Sequence, residues 1–312
     1  MSSLAEPSLR PTGSVRRRKR VNRAMEGLAT LASALAVAVL GIVIVSVFLK
    51  GLPALGWDFF TKNQALFGEA GGGIANALAG SLVLVALATA MALPVGVLVA
   101  IYATEFASPR VARVVRLALD VLNGVPSIVI GIFVYVLLVV SHRQNAFFGS
   151  CALAIIMLPL VSRSTQEVLV LVPQSLREAS QALGVSKWRT VLRVVLPTTM
   201  GGILTGTTLA VARAAGETAP ILFTSSIFLN QVIWDPRHPV DSIPFTIYFY
   251  SESPDPNLHR QAWAAAFVLI MFVLVTSLAA RYLLHRSRRK LTGGARPRRP
   301  SFLRAFAFLR GG

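Results

Sequence analysis

Long apolar blocks separated by short polar segments make up most of this chain. The first, Leu28 to Leu49, is 22 residues without a charge. A helix of that length, rising about 1.5 Å per residue, crosses a hydrocarbon core of about 30 Å. The run is too long for the apolar core of a signal peptide, so it reads as an uncleaved first span. The same criterion marks Ile74–Tyr102, Leu117–Val140, Phe147–Val161, Thr198–Phe223 and Ala262–Leu284. The fourth of these six runs is short and spans only if extended at its ends; the fifth carries polar interruptions. Pro94, Pro126, Pro159 and Pro220 fall in or near the runs and are expected to kink them. Membrane helices tolerate this where neighbours or water satisfy the freed carbonyls. The pattern predicts an all-α polytopic membrane protein with six transmembrane helices.

The polar segments give the orientation. With the N-terminus inside, segments 1–25, 104–117, 162–197 and 281–312 face the cytoplasm and hold 7, 3, 5 and 10 Lys plus Arg. The outer segments 50–73, 141–146 and 229–260 hold only 2, 1 and 2. That bias places both termini in the cytoplasm and requires an even number of spans. The domain organisation is then a basic N-terminal tail over 1–25, expected to be disordered, a permease-like membrane domain over 26–285, and a basic C-terminal tail over 286–312.

Composition agrees. The chain is 54% hydrophobic and 14% charged, too poor in polar surface for a water-soluble fold. The net charge of +18 resides in tails and short loops, where it acts as a topology signal and implies no nucleic-acid partner. The C-terminal run from Arg286 to Arg299 has two readings, contact with anionic lipid or a solvated tail. The lone Cys151 sits in an apolar run and reads as a small packing residue.

The longest inner segment, 163–197, is not a simple linker. Leu176, Ala179, Leu183 and Val185 form an approximately helical apolar face, with Arg177, Glu178, Gln181 and Lys187 polar. Gly184 permits a sharp change of direction. Trp188 to Val195 resumes an amphipathic helix, and Pro197 is expected to punctuate its passage into the membrane. Such a helix-turn unit suits docking into a groove on a partner, or lying on the membrane surface.

Glu178, Ala179 and Ser180, with Gly184 six residues after Glu178 and a Val194-x-Leu196-Pro197 close, resemble the loop of ABC importer permeases. The family pattern begins Glu-Ala-Ala; Ser180 departs from it with another small residue. Gly71–Ala107, Asn123–Phe133, Leu158–Leu169 and the segment around Ala212–Pro220 resemble PstA-type permease subunits of bacterial ABC phosphate importers. The likeness covers roughly residues 70–285. It implies a MetI-like architecture in the bacterial inner membrane, with the 178–197 loop as the coupling helix seated in a cleft of the ATPase. It also implies a PstC-like permease partner forming a heterodimer, two PstB-like ATPase subunits that bind ATP and Mg²⁺, and a PstS-like phosphate-binding protein. No cofactor is expected in this chain itself.

Arg213 and Glu217 are the charged pair of span five. If the span begins near Met200, Arg213 lies about 20 Å deep, near the bilayer middle. An arginine there costs at least about 2.5 kcal/mol, so it must face protein, water or an opposite charge. Spacing of four puts Glu217 on the same helix face. Pro220 cannot donate to the carbonyl of Gly216, so the helix is expected to open beside Glu217 and form a gate. A guanidinium fork suits phosphate. One reading is therefore a transient anion contact by Arg213, with Glu217 holding it when the anion is absent; the other is a permanent structural pair. Asn76, Ser81 and Thr89 either line the pathway or stitch helices together.

No G-x-x-x-x-G-K-[ST], G-x-S-x-G or H-E-x-x-H motif occurs. The chain is thus expected to be a transporter subunit rather than an enzyme, with ATP hydrolysis supplied separately. Rival readings are a permease for sulfate or molybdate, a membrane-embedded enzyme, and a signalling scaffold. The charge bias makes a direct prediction. Reporters fused after Gly312 and within 141–146 are expected to behave as cytoplasmic and external respectively, in a paired fluorescence and phosphatase assay.

Overall fold

A computed structural model describes residues 13–64, 71–226 and 231–291. Among them the first long helix, α1, runs Gly13–Gly51, followed after a short turn by α2, Trp57–Thr61. Helix α3 spans Ala75–Ile101 and continues through a π turn to Phe106. Next come α4, Pro109–Gly124, and α5, Ser127–Val134, the latter prolonged by a second π turn to Val139. Helix α6 covers Ala146–Val170, α7 Gln174–Ala182 and α8 Lys187–Thr190. A third π turn, Val191–Val195, joins α8 to α9, Leu196–Ala215. The chain continues with α10, Ala219–Thr224, α11, Ile243–Ser251, and α12, Pro256–Leu291.

Among the described residues, five helical stretches are long and apolar enough to cross a membrane: Arg17–Ala54, Ala75–Phe106, Ala146–Val170, Lys187–Ala215 and Pro256–Ala279. The third expected span is not one helix. It is α4 and the α5 stretch meeting at 96°, a broken span or a re-entrant pair that brings the crossings to six only when counted as one span. Val125 and Pro126 lie at the corner in extended conformation. Proline forces the residue before it out of the helical region, which stops α4 there.

Other boundaries move for equally local reasons. Residues 13–25, expected to be a disordered tail, are helical and continue α1. Arg, Lys, Ala and Met are good helix formers, and extending an existing helix needs no new nucleus. Span four reaches Val170 rather than Val161, so the loop 163–197 opens on the last residues of a membrane helix. Span five begins at Lys187 rather than Thr198, and Pro197 does not interrupt it. The π turn just before Pro197 has already widened the backbone spacing where its ring and missing N–H would otherwise conflict.

Helix α6 occupies the centre. Leu153, Met157 and Val161 on α6 form one core with Leu84, Ala88 and Ala92 of α3, Ala210 and Ala214 of α9, and Ile221 of α10. A second core joins Phe59, Ile74, Ala77, Ile243, Ala264 and Ala265 at one end of the bundle, named the outer end after the orientation that the charge bias predicts. A third, Ala100, Ile101, Leu169, Val172, Val191 and Val195, closes the inner end. Without a water-driven hydrophobic effect between spans, close backbone approach supplies the cohesion. Gly202 and Gly206, one turn apart on α9, face Val168 and Ser164 of α6, and a Cβ at either glycine would overlap those side chains.

In the segment before α11, Asp241 is only 2% exposed. Asn76 Nδ2 donates to Asp241 Oδ2 at 3.2 Å, and Asn76 Oδ1 accepts from the backbone N–H of Gln64 at 3.3 Å. Ser81 Oγ accepts from the N–H of Ile243 at 2.8 Å. Asn76 and Ser81 therefore stitch α3 to the outer segment, while Thr89 bonds its own helix at the Val85 carbonyl. Helix α1 is largely exposed and meets the bundle near its outer end, where the Phe48 and Phe267 rings lie edge-on at 5.7 Å.

Gly202→Leu or Gly206→Leu is expected to push α9 off α6 and destabilise the fold by about 1–3 kcal/mol. Gly41→Leu is expected to be neutral, because a Cβ added at that point of α1 would meet nothing within 4 Å. Thermal unfolding in detergent distinguishes them.

Candidate translocation and coupling site

Arg213 lies in the last turn of α9. The antiparallel register that sets Gly206 against Ser164 and Gly202 against Val168 puts Arg213 level with Met157, roughly 16 Å along α6 from Ala146. The guanidinium is thus level with the middle of α6. Its side chain is 47% exposed on the bundle surface, while that of Glu217 is 16% exposed. Their closest approach is 3.5 Å, from Arg213 Nε to Glu217 Oε1. That exceeds the roughly 2.7–2.9 Å of a tight charge-assisted hydrogen bond, so the pair is in contact without being clamped.

The predicted kink is a complete break. Helix α9 stops at Ala215, and Gly216, Glu217 and Thr218 lie between it and α10. The N–H groups of Gly216 and Glu217 still bond back to Arg213 and Ala214, at 3.0 and 3.2 Å. Pro220 is not a mid-helix kink; it occupies the first turn of α10, where its missing N–H is harmless. It is buried against α5, where a Cβ on Gly131 would sit 2.6 Å from the Pro220 Cα. The chain break beside Glu217 is therefore wedged against the bent third span.

At the inner end of the bundle α7 carries Glu178 and Ala179 exposed and Ser180 buried. The helix ends in a Schellman turn: the N–H of Val185 bonds the Ser180 carbonyl at 3.3 Å and that of Gly184 bonds Gln181 at 2.9 Å. Gly184 has φ +77°, the left-handed conformation glycine adopts at least cost. The Ser180 and Thr190 hydroxyls meet at 2.9 Å and tie α7 to α8 across the turn. A small hydroxyl residue at position 180 thus has a structural use that alanine lacks. Leu196 is half-buried beside the inner core, and Pro197 is exposed. Leu183, 85% exposed, and Trp188, 54% exposed, leave an apolar surface on the outside of the elbow.

Arg177 anchors this elbow to the bundle. Its Nη2 donates to Glu105 Oε1 at 2.7 Å and to the Leu169 carbonyl at 2.9 Å, and its Nη1 donates to the Val172 carbonyl at 2.5 Å. Both side chains are largely buried, at 13% and 6% exposure. A cleft of about 590 Å³ opens beside the pair, lined also by Gln174, Gln181, Lys187 and Thr190.

A membrane bundle with an elbow of this kind is a recurrent form, and likeness to known proteins specifies which. The profile of the binding-protein-dependent transport system inner membrane component family matches residues 92–289. The chain belongs to that family.

Among its relatives, this permease is 39% identical over 267 residues to the phosphate transport system permease protein PstA of Haemophilus influenzae, covering 85% of this chain and 94% of that one. It is 37% identical to the Yersinia pestis PstA, over 86% and 93% of the two chains. PstA 1 of Mycobacterium tuberculosis is 40% identical over 75% and 78%. In fold, the permease resembles a chain of a bacterial alginate ABC transporter solved with an alginate-bound periplasmic protein. That match has a TM-score of 0.58 at 14% identity, over 88% of this chain and 98% of the other. A chain of the inward-facing MetNI methionine transporter matches at TM-score 0.55 and 18% identity, over 68% and 93%. These likenesses establish the MetI-like importer architecture for an all-α membrane subunit.

The structure brings Arg213 and Glu217 together beside Gly216, and gathers Glu178, Ala179, Ser180 and Gly184 in one elbow remote from them. The permease also uses a contact that sequence reasoning misses, Glu105 with Arg177. Their separation of 72 residues leaves no local periodicity to reveal it. The only available signal was a lone carboxylate at the inner end of an apolar span. Arg177→Met is expected to destabilise the permease by about 3–5 kcal/mol by stranding the Glu105 carboxylate. Adding Glu105→Gln is expected to recover most of that loss, in a double-mutant cycle read by thermal unfolding.

Proposed function

We propose that this chain is the transmembrane permease subunit of an ATP-driven, high-affinity importer of inorganic phosphate. The observation that carries the substrate is the run of PstA-named relatives at 37–40% identity over most of the chain. The permease works with other ABC components. In the finer reading these are a PstC-like permease completing a heterodimer, two PstB-like ATPases and a PstS-like binding protein, with both permease termini in the cytoplasm.

In this scheme the binding protein delivers phosphate at the outer face. ATP and Mg²⁺ are bound by the ATPases, whose closure moves the coupling elbow built from Glu178, Ala179, Ser180 and Gly184. The exposed Leu183 and Trp188 supply apolar surface for the ATPase cleft. The elbow is continuous with α9 through α8, Leu196 and Pro197, so its displacement is transmitted along one helix toward Arg213. At the far end Gly216 and Pro220 bound the break that acts as the gate.

Arg213 offers the phosphate a fork of N–H donors. Glu217 holds the guanidinium loosely between passages, because a carboxylate bound too well would exclude the anion. Transport further requires that phosphate interact differently with the outward and inward states, since a ligand indifferent to them shifts neither.

The test is labelled phosphate uptake at low external phosphate, in cells lacking this chain and complemented with variants at matched membrane levels. The unaltered chain is expected to restore uptake, and Arg213→Gln to lower it at least about tenfold. Full uptake by the swapped pair Arg213→Glu with Glu217→Arg would make the pair structural and end the anion-contact reading. Restored sulfate or molybdate uptake, with phosphate uptake unaffected, would replace the substrate.

A further inference from the structure

Helix α4 packs one face into the bundle and leaves an apolar row and three arginines outside it. Ala112 and Leu119, seven residues apart, are buried on that face, and Asp120 pairs with Arg163 of α6. Val111, Val114, Leu117 and Val121 recur at three- and four-residue spacing and form an exposed apolar row; Val114, Leu117 and Val121 are 65, 62 and 61% exposed. Arg110, Arg113 and Arg116 each immediately precede one of these apolar residues and form a parallel row, largely open to the surroundings. No carboxylate among the described residues pairs with any of the three.

The position of the helix is set by its neighbours. It begins shortly beyond the inner end of the α3 stretch at Phe106. Near its other end, Asp120 meets Arg163, which lies 17 residues after Ala146 and so about 26 Å along α6. That is close to the inner edge of a hydrocarbon core of about 30 Å. The bend of 96° turns α4 away from the axis of the α5 stretch. An amphipathic helix at this depth, with apolar and cationic rows side by side, can place the first among acyl chains and the second among headgroups.

We propose that α4 is an interfacial helix that binds the anionic phospholipid of the inner leaflet. Its apolar row inserts beside the acyl chains, and Arg110, Arg113 and Arg116 receive the phosphodiester headgroups. Charge complementarity selects this occupant: a cytoplasmic leaflet is negatively charged, and each nearby arginine adds attraction for it. A protein partner would instead have to bring carboxylates to the same depth. The inference is independent of which anion the permease transports.

The experiment uses the assembled transporter with p-benzoylphenylalanine in place of Val114, in vesicles of equal parts phosphatidylcholine and phosphatidylglycerol. After irradiation, adducts are identified by mass spectrometry. Lipid adducts are expected to dominate, with phosphatidylglycerol favoured by about threefold or more, less than the full attraction of three arginines allows. Arg110→Gln, Arg113→Gln and Arg116→Gln together are expected to bring the ratio to one, and the corresponding lysine variant to keep the preference. Equal adducts from the two lipids with the arginines present would overturn the proposal. So would predominant crosslinking to another protein chain, which would make this face a subunit interface. Loss of the preference on adding excess inorganic phosphate would reassign the row to the free anion. If the glutamine variant does not assemble, the adduct ratio of the arginine-bearing protein decides alone.

Discussion

Close approach to α6 is the constraint on which the rest of the molecule depends. Apolar contact with a neighbouring helix gains little over contact with lipid, so spans cohere where backbones come near enough for dense packing and hydrogen bonding. Helix α6 meets α9 at Gly202 and Gly206, meets α3 at Gly96 and meets the segment after α10 at Gly149. The level of Arg213, the position of the break at Gly216 and the seating of α10 on α5 all follow from that register. A shift of α9 by one turn would move the guanidinium by about 5 Å relative to every other span.

The two ion pairs of functional interest are built for opposite purposes. Arg177 and Glu105 are buried, 2.7 Å apart, and two backbone carbonyls take further guanidinium N–H groups. Such a contact holds the elbow to the inner end of α3 as one body. Arg213 and Glu217 stand 3.5 Å apart beside a helix break, with the arginine half exposed. The carboxylate balances a charge that is costly at that depth, yet leaves it accessible. Under the proposed function, rigid attachment at the elbow and loose pairing at Arg213 would serve motion-coupled anion transport.

Much of this was legible in the residues. The apolar runs identified a polytopic helical protein, and the spacing from Glu178 through Gly184 to Pro197 located the elbow. Gly184 reads as a turn, and its positive φ is the reason a glycine serves there. The misplaced boundaries share a cause. Arg163–Val170, residues 13–25 and Lys187–Val195 are polar or amphipathic, and hydropathy ends a span where apolarity ends, whereas the backbone continues a helix as long as its hydrogen bonds are met. The reverse error occurs at Leu117–Val140, where a continuous apolar run conceals the corner imposed by Pro126.

The residues alone therefore determined the class of protein and the identity of its chemical groups, because transfer to lipid and helix length are properties of local stretches. The tertiary structure decided which groups meet. Asp241 was an outer-loop charge until α3 closed over it through Asn76. Glu105 and Arg177 had no relation until the inner ends of α3 and α6 were brought beside α7. Those pairings depend on the register between helices, which is set by side-chain volume at a few crossing points and is not encoded in the periodicity of any single span.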